Sequence, residues 1–376
     1  MKKTNYKYLS IYALVFLLII FSKANAQLPY KADLILPDTV YVAVDREISI
    51  WWDGLSNITE SDKEFYFNVN VTPNTVMYNK NRCLRFLPTT TGNYPVTIDA
   101  LDRSVNKVAT VSSVITAVSK TNGSGTKYLL MIGDSRLSNG RIVTTLKNCF
   151  TTDNSGMAIS FVGTQGSTGE KNEGRSGWSI ATNPNSFTRL DTINPFWNGF
   201  TNSLHFQDYI TSNSLTAPDI VYICLGINDI IGYKTRLTRA SMQTYIDAYN
   251  TLISAIRNAS TGYPSARIII GLEPYYSDSD GMSANYYTDF CLPAYKYNMR
   301  LLWTMLIETF KDTYNVRFSI NGICMDRMNS YPYSIYNASQ IDKYNKYSEF
   351  TNGVHSNPLG YDYEAIQLYA VCRSFY

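Results

Sequence analysis

The chain passes from an apolar run into a small polar turn at Tyr128-Leu129-Leu130-Met131-Ile132-Gly133-Asp134-Ser135. An apolar run of this length, ended by glycine, predicts a strand that is buried on both faces of a parallel sheet. Four later apolar runs have the same character and lie at residues 158–162, 220–225, 267–271 and 316–320. Together the five runs predict a five-stranded parallel sheet.

Helical patterns separate these predicted strands. After Thr238, a residue type that often caps helices, one helical face would carry Tyr245, Tyr249, Leu252, Ile253 and Ile256. Further helices are predicted over residues 294–311 and 361–373. Strands that alternate with helices indicate a three-layer α/β domain, in which sites lie outside the carboxyl ends of the strands.

Four short polar motifs occupy the positions where such a site is expected. Three of them follow predicted strands, and the fourth precedes the last helix; they are Gly133-Asp134-Ser135, Glu173-Gly174-Arg175-Ser176-Gly177-Trp178, Gly226-Ile227-Asn228-Asp229 and Asn352-Gly353-Val354-His355-Ser356-Asn357. Each motif alone is common by chance, but their order and placement are typical of one composite site.

These residue types suit acyl transfer. A serine hydroxyl is a weak nucleophile until a base such as His355 accepts its proton. The reaction also needs fixed hydrogen-bond donors where negative charge develops on oxygen, such as a glycine N–H and the Asn228 amide. Glycine at this place lets the backbone approach the reacting atoms closely.

The four motifs resemble those of the SGNH hydrolase superfamily, the GDSL-type esterases, and the resemblance covers residues 127–376. It implies a flavodoxin-like three-layer domain with Ser135 as the nucleophile and His355 as the base. It also implies an oxyanion hole formed by the Ser135 N–H, Gly177 and Asn228. Gly174 competes with Gly177, but the spacing from Gly174 to Ser179 resembles the family's G-x-S-G-x-[ST] pattern and favours Gly177.

One residue departs from the family pattern. Asn352 stands where the family has an aspartate three residues before the histidine. In a serine protease, the equivalent loss of the carboxylate lowers kcat by about 10⁴. Three explanations are open: another acid serves (Asp342, Glu349 or Asp362), a main-chain carbonyl orients His355, or the enzyme is slow or decayed.

The other histidine and the cysteines suggest no further chemistry. His205 lies in a connecting segment without an acid or nucleophile motif, so a structural role is expected. The six cysteines could pair in an oxidising compartment, but their wide spacing does not indicate a metal site. We expect no cofactor and no metal.

The sequence before the predicted α/β domain has a different pattern, that of short strands separated by turns. Six short runs with turns between them predict an immunoglobulin-like β-sandwich over residues 27–120; they lie at 39–44, 48–52, 65–69, 83–86, 94–98 and 110–115. The polar Gly/Ser segment 121–126 predicts a linker.

The first 26 residues have the features of a signal peptide. Lys2, Lys3 and Lys7 precede the apolar run 11–21, and Ala24-Asn25-Ala26 supplies small residues for cleavage before Gln27. A membrane span requires about 20 apolar residues, so we expect secretion without a membrane anchor. Cleavage removes four of 33 basic residues and leaves 29 against 30 acidic residues, a net charge of −1. This balance does not suggest a nucleic-acid partner.

The sequence therefore predicts a secreted esterase acting on an acylated small molecule or polysaccharide, most plausibly one that removes acetyl groups from carbohydrate. Trp178, Tyr275 and Tyr276 are candidates for stacking on sugar rings, with packing as the equal alternative. Two other functions are open. One is a lipase or thioesterase with an apolar acyl groove, and the other is a glycan-binding protein whose hydrolase site has decayed.

Overall fold

The computed structural model describes residues 33–56, 65–71, 77–79, 82–153, 155–181, 185–274, 292–337 and 346–376. Several predictions fall outside these residues: the signal peptide, the two candidate tyrosines Tyr275 and Tyr276, Asp342 and Cys291. Glu349 belongs to a strand of which only the backbone is described.

The first part of the chain forms two β-sheets. Its strands and one short helix are β1 (Thr39–Ala43), β2 (Ile48–Trp51), α1 (Trp52–Leu55), β3 (Tyr66–Val71), β4 (Met77–Asn79), β5 (Cys83–Phe86), β6 (Gly92–Leu101) and β7 (Lys107–Val118). One sheet has the order β1-β7-β6-β3 and the other has the order β2-β5-β4. All their pairs are antiparallel except β1 with β7.

The six predicted strands of this part are present, and β4 is an additional strand. Buried residues of both sheets, such as Val40, Ile98 and Phe86, belong to one apolar core. The immunoglobulin-like assignment stays a prediction.

The second part of the chain is an α/β structure around a parallel sheet. Its elements are β8 (Thr126–Gly133), α2 (Ser135–Ser138), α3 (Arg141–Thr152), β9 (Ala158–Val162), β10 (Glu173–Gly174), β11 (Trp197–Asn198), β12 (Ser203–Leu204), α4 (Phe206–Ser212), β13 (Ile220–Cys224), α5 (Ile227–Ile230), α6 (Arg239–Arg257), β14 (Arg267–Gly271), α7 (Leu292–Phe310), β15 (Val316–Ser319), α8 (Asn321–Cys324), β16 (Tyr333–Asn337), β17 (Lys346–Phe350) and α9 (Pro358–Ser374).

The strand order of the sheet is β9-β8-β13-β14-β15, and every pair is parallel. Numbered along the chain, this is the order 2-1-3-4-5 of flavodoxin-like folds. The five predicted strands are therefore confirmed. The two-residue strand β10 is an addition, and it pairs with the end of β8 beyond β9.

Helices cover both faces of this sheet. Leu130 and Ile132 on one face of β8 share a core with α6 and α7. Leu129 and Met131 on the other face share a core with α3 and α9. The predicted three-layer arrangement is confirmed, and the Thr238 hydroxyl caps α6 by accepting a hydrogen bond from the Ser241 N–H at 3.1 Å.

The two parts of the chain pack closely together. Buried Arg300 of α7 donates to the carbonyl oxygens of Gly54 at 2.8 Å and Leu55 at 3.0 Å. Gly54 also approaches the backbone of Gly322 so closely that a Cβ would lie 2.6 Å from the Gly322 oxygen. The segment expected to be a linker is held as well, because Arg373 donates to the Asn122 carbonyl at 2.9 Å.

Two further observations concern the cysteines and the membrane. The five described cysteines, Cys83, Cys149, Cys224, Cys324 and Cys372, are buried free thiols. Over the described ranges, no helix combines the length and the apolar character that crossing a bilayer requires.

Candidate active site

The candidate nucleophile lies where the central strand β8 ends. Ser135 is the first residue of the short helix α2, and the Asp134 carboxylate caps this helix by accepting the Arg136 N–H at 2.9 Å. The turn is tight, because a Cβ on Gly133 would lie 2.9 Å from the Leu137 side chain. This geometry holds the Ser135 hydroxyl at the carboxyl edge of the sheet.

The candidate base lies directly beside this hydroxyl. His355 belongs to the loop between β17 and α9, and its Nε2 is 2.9 Å from the Ser135 Oγ. Both residues are half-buried. The two outer motifs, 220 residues apart in the chain, therefore meet as a hydrogen-bonded Ser-His pair.

The surroundings of His355 favour its neutral form. Burial lowers the pKa of His355 below its usual 6.5, the nearby Arg136 charge lowers it further, and the Asp134 charge opposes the shift. A neutral imidazole is the form that can accept a proton from Ser135. At neutral pH the base is therefore ready to act.

Asn352 shapes the loop that carries His355. Its Oδ1 accepts the backbone N–H of Val354 at 3.0 Å and that of His355 at 2.9 Å. These two bonds use both lone pairs of the amide oxygen. The oxygen of Asn352 thus orients the backbone around His355.

Of the acids considered as substitutes, Asp362 is engaged elsewhere. Its carboxylate pairs with Arg141 at 2.7 Å and accepts the Thr145 hydroxyl at 2.5 Å. It is therefore not the group that orients His355. Asp342 and the Glu349 side chain lie outside the described residues.

Arg136 is the residue of this site that sequence reasoning missed. It is 2% exposed, and its guanidinium donates to the Val354 carbonyl at 2.6 Å and to the Ser356 hydroxyl at 3.0 Å. It also forms an ion pair with buried Glu364 of α9. In the sequence, only its position directly after Ser135 pointed to Arg136, because a residue next to the nucleophile is held in place together with it.

Asn228, the expected side-chain donor, lies in the first turn of α5. Its Nδ2 donates to the Trp178 carbonyl at 2.8 Å and makes a longer contact of 3.3 Å with the Asp134 carboxylate. The adjacent Asp229 accepts the N–H groups of Ile180 and Ala181, each at 2.9 Å. The second and third motifs are therefore tied together around Asp134.

The two competing glycines of the second motif have different surroundings. Gly174 lies against α2, and a Cβ there would be 2.5 Å from the Ser138 nitrogen. Its own N–H donates to the Asn172 side chain at 2.7 Å. Gly177 has a φ of +76°, a conformation that favours glycine, and nothing lies within 4 Å of the position of its missing Cβ.

The candidate sugar-stacking residue Trp178 is a packing residue in this structure. It is 7% exposed, and its ring lies 4.6 Å from the ring of Phe187 and under the Arg175 guanidinium. Phe196 and Phe206 extend the same aromatic cluster. Trp178 therefore packs within this cluster, and its role in stacking on sugar rings stays a prediction.

A second buried carboxyl group lies behind the third motif. Glu273, 1% exposed, accepts the Ile227 N–H at 2.6 Å. Burial raises the pKa of Glu273 well above its usual 4.5, and the nearby charge of Asp134 adds to this shift. The surroundings of Glu273 therefore favour its protonated form.

His205 has the structural role expected for it. Its Nδ1 accepts the Asp208 N–H at 3.2 Å and caps α4.

No family model matches the chain, and no curated protein matches it. Among solved structures, the chain is similar to a possible lipase from Chitinophaga pinensis DSM 2588 (14% identity, TM-score 0.41), covering 66% of this chain and 98% of that one. It is also similar to Est24, a carbohydrate acetylesterase from Sinorhizobium meliloti (14%, TM-score 0.38, 66% and 100%).

A third similar structure is the aryl esterase of M. smegmatis (15%, TM-score 0.40, 66% and 100%). At identities and scores this low, the function of this chain has to be argued from its own residues.

Proposed function

We propose that this protein is a serine ester hydrolase in which Ser135 is the nucleophile and His355 the general base. The observation that carries the proposal is the 2.9 Å contact between the Ser135 Oγ and the His355 Nε2 at the carboxyl edge of the sheet. The lowered pKa of His355 supports the same role, because the base must be neutral before it acts.

The reaction then follows the general scheme of acyl transfer. His355 takes the Ser135 proton as the Oγ attacks the ester carbonyl, and the protonated imidazole later gives that proton to the leaving alcohol. Water, activated by the same imidazole, releases the acid from the acyl-enzyme. Arg136 opposes the positive charge that forms on His355, so the site depends more heavily on stabilising the oxyanion.

We assign this stabilisation to the Ser135 and Gly177 N–H groups and to the Asn228 amide. The weaker of the two Asn228 contacts, 3.3 Å to Asp134, is the one we expect to be exchanged for the substrate oxygen. The stronger contact to the Trp178 carbonyl would stay and keep the amide in place. Each such donor contributes roughly 10²–10³ in rate.

The substrate class that we propose is an acetylated carbohydrate. We further propose that residues 1–26 are removed and that the mature protein acts outside the cytoplasm. The signal-like N-terminus and the β-rich part ahead of the α/β part support this choice. The β-rich part is proposed as an immunoglobulin-like accessory domain. Lipase or thioesterase activity, and glycan binding by a decayed site, are the outcomes against which the proposal is tested.

The decisive experiment combines labelling with an esterase panel. We expect a fluorophosphonate probe to label the wild type and Ser176→Ala, a matched exposed serine of the neighbouring motif, but not Ser135→Ala. Hydrolysis of p-nitrophenyl acetate should exceed that of long-chain esters, and acetylated oligosaccharides should release acetate. Preference for long acyl chains would indicate a lipase, whereas glycan binding without labelling would indicate a decayed site.

A further inference from the structure

The loop that carries His355 is held from two directions. Asn352 accepts the N–H groups of Val354 and His355 from within the loop. From outside, the guanidinium of Arg136 donates to the Val354 carbonyl and to the Ser356 hydroxyl. The residues on both sides of His355 are thus bonded to the residue that follows Ser135.

This connection links parts of the chain that are far apart in sequence. Arg136 is 218 residues from Val354 and 220 residues from Ser356. Because Arg136 belongs to the same helix as Ser135, any shift of the His355 loop changes bonds made by the neighbour of the nucleophile. The separation of Ser135 and His355 therefore depends on a side chain that touches neither reacting atom.

We propose that Arg136 is a positioning residue of the Ser-His pair, because it holds the residues on both sides of His355. This inference rests on the proposed hydrolase function. Arg136 acts through the backbone and hydroxyl on either side of His355, whereas the aspartate of related motifs acts on the imidazole itself.

Arginine suits this task better than lysine. Its planar guanidinium presents five N–H donors in a fixed fork, so one side chain can hold a carbonyl, a hydroxyl and a carboxylate at once. Glu364 compensates the buried charge, which would otherwise be costly to remove from water. A lysine keeps the charge but not the fork.

The charge and the geometry of Arg136 have separable effects on His355. The groups that shift the His355 pKa are Arg136 and Asp134, and Glu364 pairs with Arg136 from α9. A variant that keeps the charge tests positioning, and a variant that removes the charge tests electrostatics. The chain has only two histidines, so a label at the Cε1 carbon of each imidazole gives two resonances, with His205 as an internal control.

The first experiment compares Arg136→Lys with Arg373→Lys. Arg373 is also buried and also donates to main-chain carbonyls, but these belong to Asn122 and Ser155, whose bonds do not involve the His355 loop. We expect Arg136→Lys to lower kcat about 10- to 100-fold, as small misplacements of reacting groups do, with KM nearly unchanged. Arg373→Lys should lower stability without lowering kcat.

The second experiment needs no catalysis. Ser135→Ala removes the hydrogen bond to His355 and should move the His355 imidazole resonance, while the resonance of His205 stays in place. In the Arg136→Lys variant, Ser135→Ala should move the His355 resonance much less, because His355 is already displaced from Ser135. Should Arg136→Lys fold poorly, Ser356→Ala removes one acceptor and is expected to give an intermediate loss of kcat.

The third experiment removes the charge. Arg136→Gln combined with Glu364→Gln keeps hydrogen-bonding amides, and we expect the His355 pKa to rise toward its usual value and the acidic limb of kcat/KM to move to higher pH. A wild-type kcat together with an undiminished resonance shift in Arg136→Lys would overturn the proposal. If the wild type neither hydrolyses esters nor labels at Ser135, the proposed function fails, and the resonance experiment still decides whether Arg136 positions His355.

Discussion

At the scale of single residues, the site combines a histidine of lowered pKa with an amide where related motifs have a carboxylate. The oxygen of Asn352 holds two backbone N–H groups, so a carboxylate in its place can keep both bonds. It would also bring a negative charge into the loop, where the nearby arginine charge now lowers the His355 pKa.

We predict that Asn352→Asp raises kcat about tenfold or more, equivalent to about 1.4 kcal/mol of barrier. The added charge stabilises the imidazolium, so the His355 pKa should rise and the acidic limb of kcat/KM should shift to higher pH. The control is Asn352→Ala, which loses the loop bonds and should lower kcat. An unchanged rate in Asn352→Asp would mean that another group already stabilises the charged His355.

A second prediction at this scale concerns Glu273, whose pKa is raised by burial. A carboxyl whose pKa is raised on folding stabilises the fold at pH below its unfolded value of 4.5, and this contribution is lost as the pH rises through the folded value. Glu273→Gln keeps an acceptor for the Ile227 N–H but cannot ionise, so stability should become less dependent on pH. Glu273→Ala should cost about 1–3 kcal/mol, because the buried Ile227 N–H loses its partner.

Thermal unfolding of the three proteins between about pH 5 and about pH 9 checks this prediction. A wild type whose stability does not fall with rising pH, relative to Glu273→Gln, would show that Glu273 is ionised in the folded protein.

At the scale of elements, α2 and the second motif are held together by a glycine contact. Gly174→Ala would place a Cβ 2.5 Å from the Ser138 backbone nitrogen, which cannot yield as a side chain does. We expect Gly174→Ala to lower the unfolding free energy by about 3 kcal/mol, the upper end of what overpacked substitutions usually cost. The same clash should displace Ser135.

Gly177→Ala is the informative counterpart. The space for a Cβ is open, so the cost should be limited to the strain of a φ of +76°, about 1–2 kcal/mol. Alanine keeps the backbone N–H but disfavours this φ, so a backbone that shifts would misplace the donor. In that case kcat should fall by more than the loss of folded protein, up to the roughly 10²–10³ that one donor contributes. Urea unfolding and kcat, measured on Gly174→Ala and Gly177→Ala, separate the effect on stability from the effect on catalysis. A normal kcat in folded Gly177→Ala would show that the conformation imposed by glycine at this position is not needed for catalysis.

At the scale of the whole molecule, the β-rich part and the α/β part are joined by buried hydrogen bonds and a close backbone contact. A linker over residues 121–126, as the sequence predicts, would let the α/β part work alone only if the interface between the two parts were small. The buried bonds from Arg300 to Gly54 and Leu55, and the close approach of Gly54 to Gly322, argue against independence.

We therefore predict a single cooperative unfolding transition for the full chain. Arg300→Met should lower the unfolding free energy by about 3 kcal/mol or more, because buried carbonyls lose charged donors. Arg257→Met is the matched control, since Arg257 donates to Ala266 and Asn315 within the α/β part alone. Urea unfolding followed by fluorescence and by hydrogen exchange in each part checks this, and two separate transitions would restore the modular view.

Much of this protein could be predicted from local sequence. Continuous apolar runs end in polar motifs, and that pattern alone predicts the parallel sheet, its three layers and the edge where Ser135 and His355 lie. These features depend on neighbours along the chain, because periodicity and strand ends are local properties. The helix capped by Thr238 was predictable for the same reason.

Other features depend on contacts between distant residues, and no local pattern reveals them. Burial of Trp178 follows from an aromatic cluster built by several connecting segments, and the bonds of Arg300 follow from how the two parts of the chain meet. Arg136 is the clearest case. Its sequence neighbours say only that it follows the candidate nucleophile, whereas its partners at positions 354, 356 and 364 lie beside it only when β8 and α9 pack into one fold.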